Sequence, residues 1–129
     1  MTISFDKALG IHADALRFRT ARAEIIANNL INADTPGYKA RDIRFKDMLD
    51  RSTAGEPLKT THAGHIHRTT RSNNSQQLYR QPMQPSVDGN TVDAEIEQSS
   101  YMRNALEFQT SFTFLNGRFR GLMNAIRGE

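Results

Sequence analysis

Helical periodicity in this 129-residue chain is confined to its two ends, and one short string stops the first run: Ala27-Asn28-Asn29-Leu30-Ile31-Asn32-Ala33-Asp34-Thr35-Pro36-Gly37-Tyr38-Lys39. Pro36 pushes Thr35 out of the α region and cannot itself continue a helix. Gly37 supplies a positive φ at no steric cost, so Pro36-Gly37 reads as a turn. Asn32 and Asp34 offer side-chain hydrogen bonds to the backbone groups that the ending helix releases.

Residues Ser4 to Ala33 read as one helix. Ser4 or Thr2 can cap it, and Asp6 sits in the first turn, where the helix dipole favours an acid. Leu9, Ala13, Leu16, Thr20, Ala23, Ala27 and Leu30 recur in steps of four and three, a heptad seam made largely of small residues. A second seam holds Ile11, Phe18 and Ile25, with Ala8 and Ala15 beside it. Positions two apart are rotated by about 200°, so the seams lie on nearly opposite sides. A surface helix of a monomer needs one apolar stripe. Two stripes predict neighbours on two sides.

From Tyr38 to Asp50 the pattern is mixed and predicts weak structure. Ile43 and Phe45 alternate with Arg44 and Lys46 as in an extended segment, while Phe45, Met48 and Leu49 fit one helical turn. Arg51 to Gly89 is polar, with Pro57, Pro82 and Pro85, and its few large apolar residues cannot build a core. Leu78-Tyr79-Arg80 can add one strand to a partner. Asp88-Gly89-Asn90 is a turn. Asp93, Glu95 and Glu97 then open a helix, and Arg118, Arg120 and Arg127 close it, both matching the dipole.

Along that last helix runs a strict heptad of large residues: Tyr101, Ala105, Phe108, Phe112, Leu115, Phe119, Leu122 and Ile126. Gly117 and Gly121 interrupt it, each costing about 1 kcal/mol against Ala. A small-residue seam at one end and a large-residue seam at the other predict interdigitation. The expected fold is all-α: N- and C-terminal helices paired as a coiled-coil hairpin, with a long polar, largely irregular middle, completed on assembly. The expected divisions are 1–35, 36–90 and 91–129.

Several function classes are excluded or disfavoured by residue type. The chain has no cysteine, which removes disulfides, thiolate metal sites and a Cys nucleophile. No Gly-rich phosphate loop, G-x-S-x-G or H-E-x-x-H is present. His62, His65 and His67 form H-x-x-H-x-H, but with few acids nearby no metal site is expected, nor any other cofactor or small-molecule substrate. His12 reads as interfacial. A small basic helical nucleic-acid-binding protein is the rival reading, served by Arg17, Arg19, Arg22, Arg41 and Arg44. Net charge is only +3, and Asp14, Glu24, Asp34, Asp42 and Asp47 are interleaved, as on a solvated mixed-charge face. The first residues lack a basic segment followed by an uninterrupted apolar one, so no cleaved secretory signal is expected.

The string from Ala27 to Lys39 closely resembles the N-terminal signature of the axial proteins of the bacterial flagellum, those of rod, hook and hook-filament junction. Val87 to Ile126 looks like the C-terminal region of a short proximal-rod member, and residues 1–50 and 87–129 carry the likeness; a sibling proximal-rod protein has similar length. The resemblance implies paired terminal helices that stack helically into a tube next to the membrane ring, transmitting torque and walling part of an export channel. It implies a periplasmic rod location in the basal body. Implied partners are other copies, other proximal-rod proteins, the membrane-ring protein, an export-gate adaptor and the flagellar type III export apparatus. Phe5 to Leu9 resembles the short recognition motif of early substrates of that apparatus. The role implied is structural, not enzymatic. Asn28 and Asn29 are expected to fix register through amide hydrogen bonds, as buried Asn does in coiled coils.

Overall fold

A computed structural model of the chain describes residues 9–53, 77–83 and 85–128. Thr2, Ser4, Phe5, Asp6, Ala8 and the histidines at 62, 65 and 67 lie outside those residues. Helix α1 runs His12–Ile31. The single helix that the sequence pattern predicts is interrupted at Gly10, whose φ of +59 is a left-handed break that glycine tolerates, between helical Leu9 and His12. Ile11 at its N-cap makes no side-chain capping bond. At the other end the Asn32 amide N–H donates to the carbonyls of Asn28 and Asn29, and its side-chain amide donates to Asn28 O at 2.8 Å.

The mixed segment that follows is ordered, and both of its competing patterns are realised in turn. Strand β1 is Arg41–Asp42 and helix α2 is Phe45–Thr53. Strand β2, Leu78–Tyr79, pairs antiparallel with β1, Arg41 opposite Tyr79 and Asp42 opposite Leu78. The strand partner of Leu78-Tyr79 is therefore in this chain. Helix α3 spans Ala94–Arg127, 34 residues and about 50 Å. Asp93 caps it by accepting from Glu95 N–H at 3.1 Å and Ile96 N–H at 3.2 Å. Gly128, at φ +76, closes it. The helix runs unbroken through Gly117 and Gly121, with open space where a Cβ would stand on either.

Helices α1 and α3 pack antiparallel. The Asn104 side-chain amide donates to Arg19 O at 2.8 Å, Arg19 pairs with Glu107, and the His12 ring lies 5.7 Å from that of Phe114. The hairpin expected from the sequence is present. The face that closes it is not the expected one. α1 contributes Ala15, Phe18, Ile26 and Asn29 to the interior. α3 contributes Glu97 and Asn104, with Ser100, Glu107 and Ser111 half-buried on the same side. Each of Ser100, Asn104, Glu107 and Ser111 stands one residue before Tyr101, Ala105, Phe108 and Phe112. One residue is about 100° of rotation, so Tyr101, Phe108, Phe112 and Phe119 are turned onto an exposed flank, while Leu115 and Leu122 of the same seam stay half-buried.

The apolar interior is correspondingly small. Besides the α1 residues it holds Ala40 and Ile43. Phe45 from α2 meets the edge of Phe18 with ring centroids 5.4 Å apart, and the Arg19 guanidinium lies 4.8 Å over the Phe45 ring. The placement of the aromatics separates two substitutions of one chemical kind. Phe18→Ala removes a core ring and costs about 3 kcal/mol, whereas Phe112→Ala truncates an outward ring and costs less than about 0.5 kcal/mol. Equilibrium urea unfolding of the two purified variants measures the difference; equal losses contradict the azimuth assigned to α3.

Candidate assembly site

The turn that ends α1 is half of a polar clamp. Asn29 is fully buried (0% exposed). Its side-chain amide donates to Arg41 O at 2.8 Å, and its oxygen accepts from Arg41 N–H at 3.1 Å and from the Tyr38 hydroxyl at 3.4 Å. It thus fastens the returning chain to α1, and its side chain also hydrogen-bonds Glu97 at the start of α3. Asn28 is exposed. Asn90, also buried, is the other half. Its amide donates to three carbonyls of the turn, Asn32 at 3.1 Å, Ala33 at 2.6 Å and Thr35 at 3.1 Å. Its oxygen accepts from Val92 N–H at 2.8 Å. These are carbonyls that the helix end leaves without intrahelical partners.

Backbone bonds complete the clamp. Gly37 N–H donates to Asp88 O at 3.0 Å, Thr91 N–H to Tyr38 O at 3.0 Å and Arg80 N–H to Ala40 O at 2.9 Å. Gly37 and Gly89, at φ +73 and +74, supply the two reversals that lie against each other. Asp34, Thr35 and Pro36 are exposed at the tip, and Asn32, Ala33 and Tyr38 are half-buried. The Asp88-Gly89-Asn90 string was legible as a turn. That Asn90 reaches the first turn was not, because nothing local records a contact 55 or more residues away.

Next to the clamp lies an ion network joining four elements. Arg22 of α1 grips Asp42 of β1 with two bonds, at 3.0 and 3.1 Å. Arg80, just after β2, donates to Asp42 at 2.8 Å and to Glu97 of α3 at 2.5 Å. Glu97 is 1% exposed. Burial raises its carboxyl above the ordinary 4.5, against the opposing pull of the Arg80 charge and the Asn29 amide. Burial also works against ionised Asp42, but the hydrogen bonds from Arg22 and Arg80 outweigh it and hold that carboxyl below 3.8. The basic cluster of α1 is thereby accounted for within the chain: Arg17 with Asp14, Arg19 with Glu107, Arg22 with Asp42.

What the fold leaves outward is apolar. On α3 Tyr101 is 46%, Phe112 55% and Phe119 42% exposed, with Phe108 and Ile126 also exposed and Leu115 and Leu122 half-buried. Met102, Leu106, Phe114 and Met123 are exposed beside them. On α1 Leu9, Leu16 and Leu30 are half-buried on the side away from Phe18, and Ile11 and Ile25 are half-buried near it. The predicted apolar residues are thus divided among the inner face of α1, half-buried positions on both helices and an exposed aromatic face on α3. Large continuous apolar patches on a folded chain mark surfaces that another molecule covers. No helix among the described residues is long and apolar enough to cross a membrane.

Comparison with known proteins identifies the class of assembly. A family profile described as "Flagella basal body rod protein" matches residues 9–39. The flagellar basal body rod protein FlgB of Aeromonas hydrophila is 48% identical over the whole chain and 99% of its own length. The chain belongs to the FlgB family of flagellar basal body rod proteins. Its FlgB relative from Cereibacter sphaeroides is 45% identical over 97% of this chain and 98% of that protein. The one from Salmonella typhimurium is 41% identical over 95% of each.

Clamp and network give two measurable expectations. Asn90→Ala removes the amide that three turn carbonyls share, including the 2.6 Å bond to Ala33 O, and costs about 2 kcal/mol, read by urea unfolding. The two acids act on stability in opposite directions. Glu97 binds its proton more tightly in the folded chain, so the stability linked to it is present below pH 4.5 and lost as pH rises through the raised folded value. Asp42 is the reverse: its contribution is present above pH 3.8 and lost as pH falls through the lowered folded value. In melting temperature recorded against pH, Glu97→Gln flattens the decline above 4.5, and Asp42→Asn flattens the acid-side decline while lowering stability at neutral pH by about 2 kcal/mol.

Proposed function

We propose that the chain is a structural subunit of the proximal rod of the bacterial flagellar basal body, stacking helically beside the membrane ring. The observation that carries this reading is the outward aromatic seam of α3, in a chain of the rod-protein family whose own hairpin closes through polar contacts. Membership of that family supports assembly with other rod and basal-body components. In the finer reading the neighbours are other copies, other proximal-rod proteins, the membrane-ring protein and an export-gate adaptor. The stacked subunits transmit torque and form part of the export channel, and no catalysis is involved. Delivery is by the flagellar type III apparatus without a cleaved signal, with Phe5 and Leu9 in its recognition motif. Residues 1–35 and 91–129 form the axial core, and 36–90 the turn and polar middle.

Magnitudes favour folding coupled to assembly. Burying Phe108, Phe112 and Phe119 contributes about 2 kcal/mol each. Association costs at least about 4 kcal/mol in lost freedom, before side chains are ordered. One contact is therefore weak, and stable docking requires several neighbours at once. That is the behaviour of a subunit that stays dispersed until a growing structure presents more than one face.

The test is done in the source cells. Chains carrying Leu30→Asp or Phe112→Asp are expected to accumulate but to be missing from purified, detergent-resistant basal bodies, and the cells are expected to be non-motile. Leu30 and Phe112 are half-buried and exposed respectively, so neither change removes the core. Normal swimming with either variant overturns the proposal.

A further inference from the structure

Helix α3 outruns its partner. Its Phe114 ring lies 5.7 Å from that of His12, the first residue of α1, and from Asn116 to Arg127 it continues past that end for about 18 Å. Every residue of that stretch is exposed except half-buried Leu122. A helix so short, with its side chains in water, is marginal. Gly117 and Gly121 both stand in it, and each favours the open chain. Just before it the hydroxyls of Thr110, Ser111 and Thr113 donate to the carbonyls of Leu106, Glu107 and Gln109 at 2.9 Å, competing with the helix's own N–H donors. The end of α3 is therefore the part of that helix that opens most readily.

Asn116-Gly117 is the only Asn-Gly pair in the chain, and both residues are exposed. In a closed α-helix the Gly117 N–H is bound to the carbonyl four residues earlier, and helical ψ at Asn116 keeps that nitrogen away from the side-chain amide. Opening the helix end releases both restraints, and glycine has no Cβ to hinder approach. We infer that Asn116 is a site of spontaneous covalent modification, gated by opening of the end of α3. The Gly117 nitrogen attacks Asn116 Cγ. The N–Cγ bond forms, the Cγ–Nδ2 bond breaks, and ammonia leaves with the proton that the backbone nitrogen gives up. Water then opens the cyclic imide at either carbonyl, leaving aspartate or isoaspartate. The related pair Asp88-Gly89 is not competent in this way: Asn90 N–H, at 3.1 Å, holds the Asp88 carboxyl below the ordinary 3.8, and Gly89 N–H donates to Ser86 O at 3.2 Å. Both products at 116 place a carboxylate beside Arg118 and Arg120, in a stretch from Phe108 to Gly128 that holds no acid. Isoaspartate also adds a methylene to the main chain, so the hydrogen-bond ladder of α3 cannot run through it. The hairpin, closed upstream at Asn104 and Glu107, keeps its shape while the end of α3 is uncoupled from it. This chemistry does not depend on what the chain assembles into.

The purified full chain is held in neutral buffer, sampled over time, cut with trypsin and read by mass spectrometry; cleavage after Arg103 and Arg118 places Asn116 in one peptide. The same chain unfolded in urea gives the rate without the helix. The folded chain is expected to convert Asn116 within about tenfold of that rate, with isoaspartate in excess over aspartate. Asn124, in the same helix end but followed by Ala125, is expected to remain an amide. Gly121→Ala leaves the Asn-Gly pair intact and has open space for the added Cβ. It is expected to slow conversion about fivefold in buffer and not at all in urea. Because this variant strengthens the helix, a folding defect does not decide the outcome. Asn116 still intact in buffer after about ten half-times of the unfolded chain overturns the inference. So does an unchanged rate in Gly121→Ala, which removes the helix end as the gate. Conversion of Asn124 alongside Asn116 overturns it too, because attack by a glycine nitrogen is then not what selects the site.

Discussion

A carboxylate buried between two helices sets the arrangement of the whole chain. Glu97 is shut off from water at the start of α3. A buried charge left unpaired is costly, so the fold must bring a cation to it. The cation is Arg80, held in place by Asp42, which Arg22 of α1 grips in turn. Four elements are thereby located relative to one another by one chain of ion pairs. The azimuth of α3 follows: with Glu97 turned inward, Asn104 and Glu107 turn inward with it, and the aromatic seam is carried to the outside.

That choice has an energetic consequence. A hairpin closed by large aromatics would gain most of the available hydrophobic free energy within one chain. This one closes over a few apolar residues and a polar seam in which Arg19 Nε, Asn104 Oδ1 and Glu97 Oε2 are buried without a hydrogen-bond partner. Each such atom costs on the order of 1–3 kcal/mol. The clamp around Asn29 and Asn90 ties the two turns together beside this small core, and the aromatic face of α3 stays exposed. Polar closure inside and apolar surface outside suit a rod subunit, which is required to be ordered enough to be recognised and incomplete enough to be driven into place.

Much of this was legible in order of residues alone. Both long helices, the stop at Pro36-Gly37, the acid-to-arginine polarity of α3 and the resemblance to flagellar axial proteins are local or periodic features, and periodicity is a property of the sequence. The break at Gly10 was missed because one positive-φ glycine interrupts a pattern whose spacing continues through it. The segment around Ile43 carried two patterns, and the chain uses one after the other.

Which side of α3 turns inward could not be read that way. The polar positions 100, 104, 107 and 111 have the same spacing as the aromatic ones and stand one residue earlier, so a search for apolar period sees only the second set. The decision is made by partners remote in sequence: Arg80 lies 38 residues from Asp42 and 17 from Glu97, and Asn90 more than 50 from the turn it closes. The sequence by itself determined two amphipathic helices, a turn between them and the family to which they belong. Only the tertiary structure decided which faces are spent on the fold and which are left exposed, because a buried charge is satisfied by whatever the rest of the chain brings to it in space.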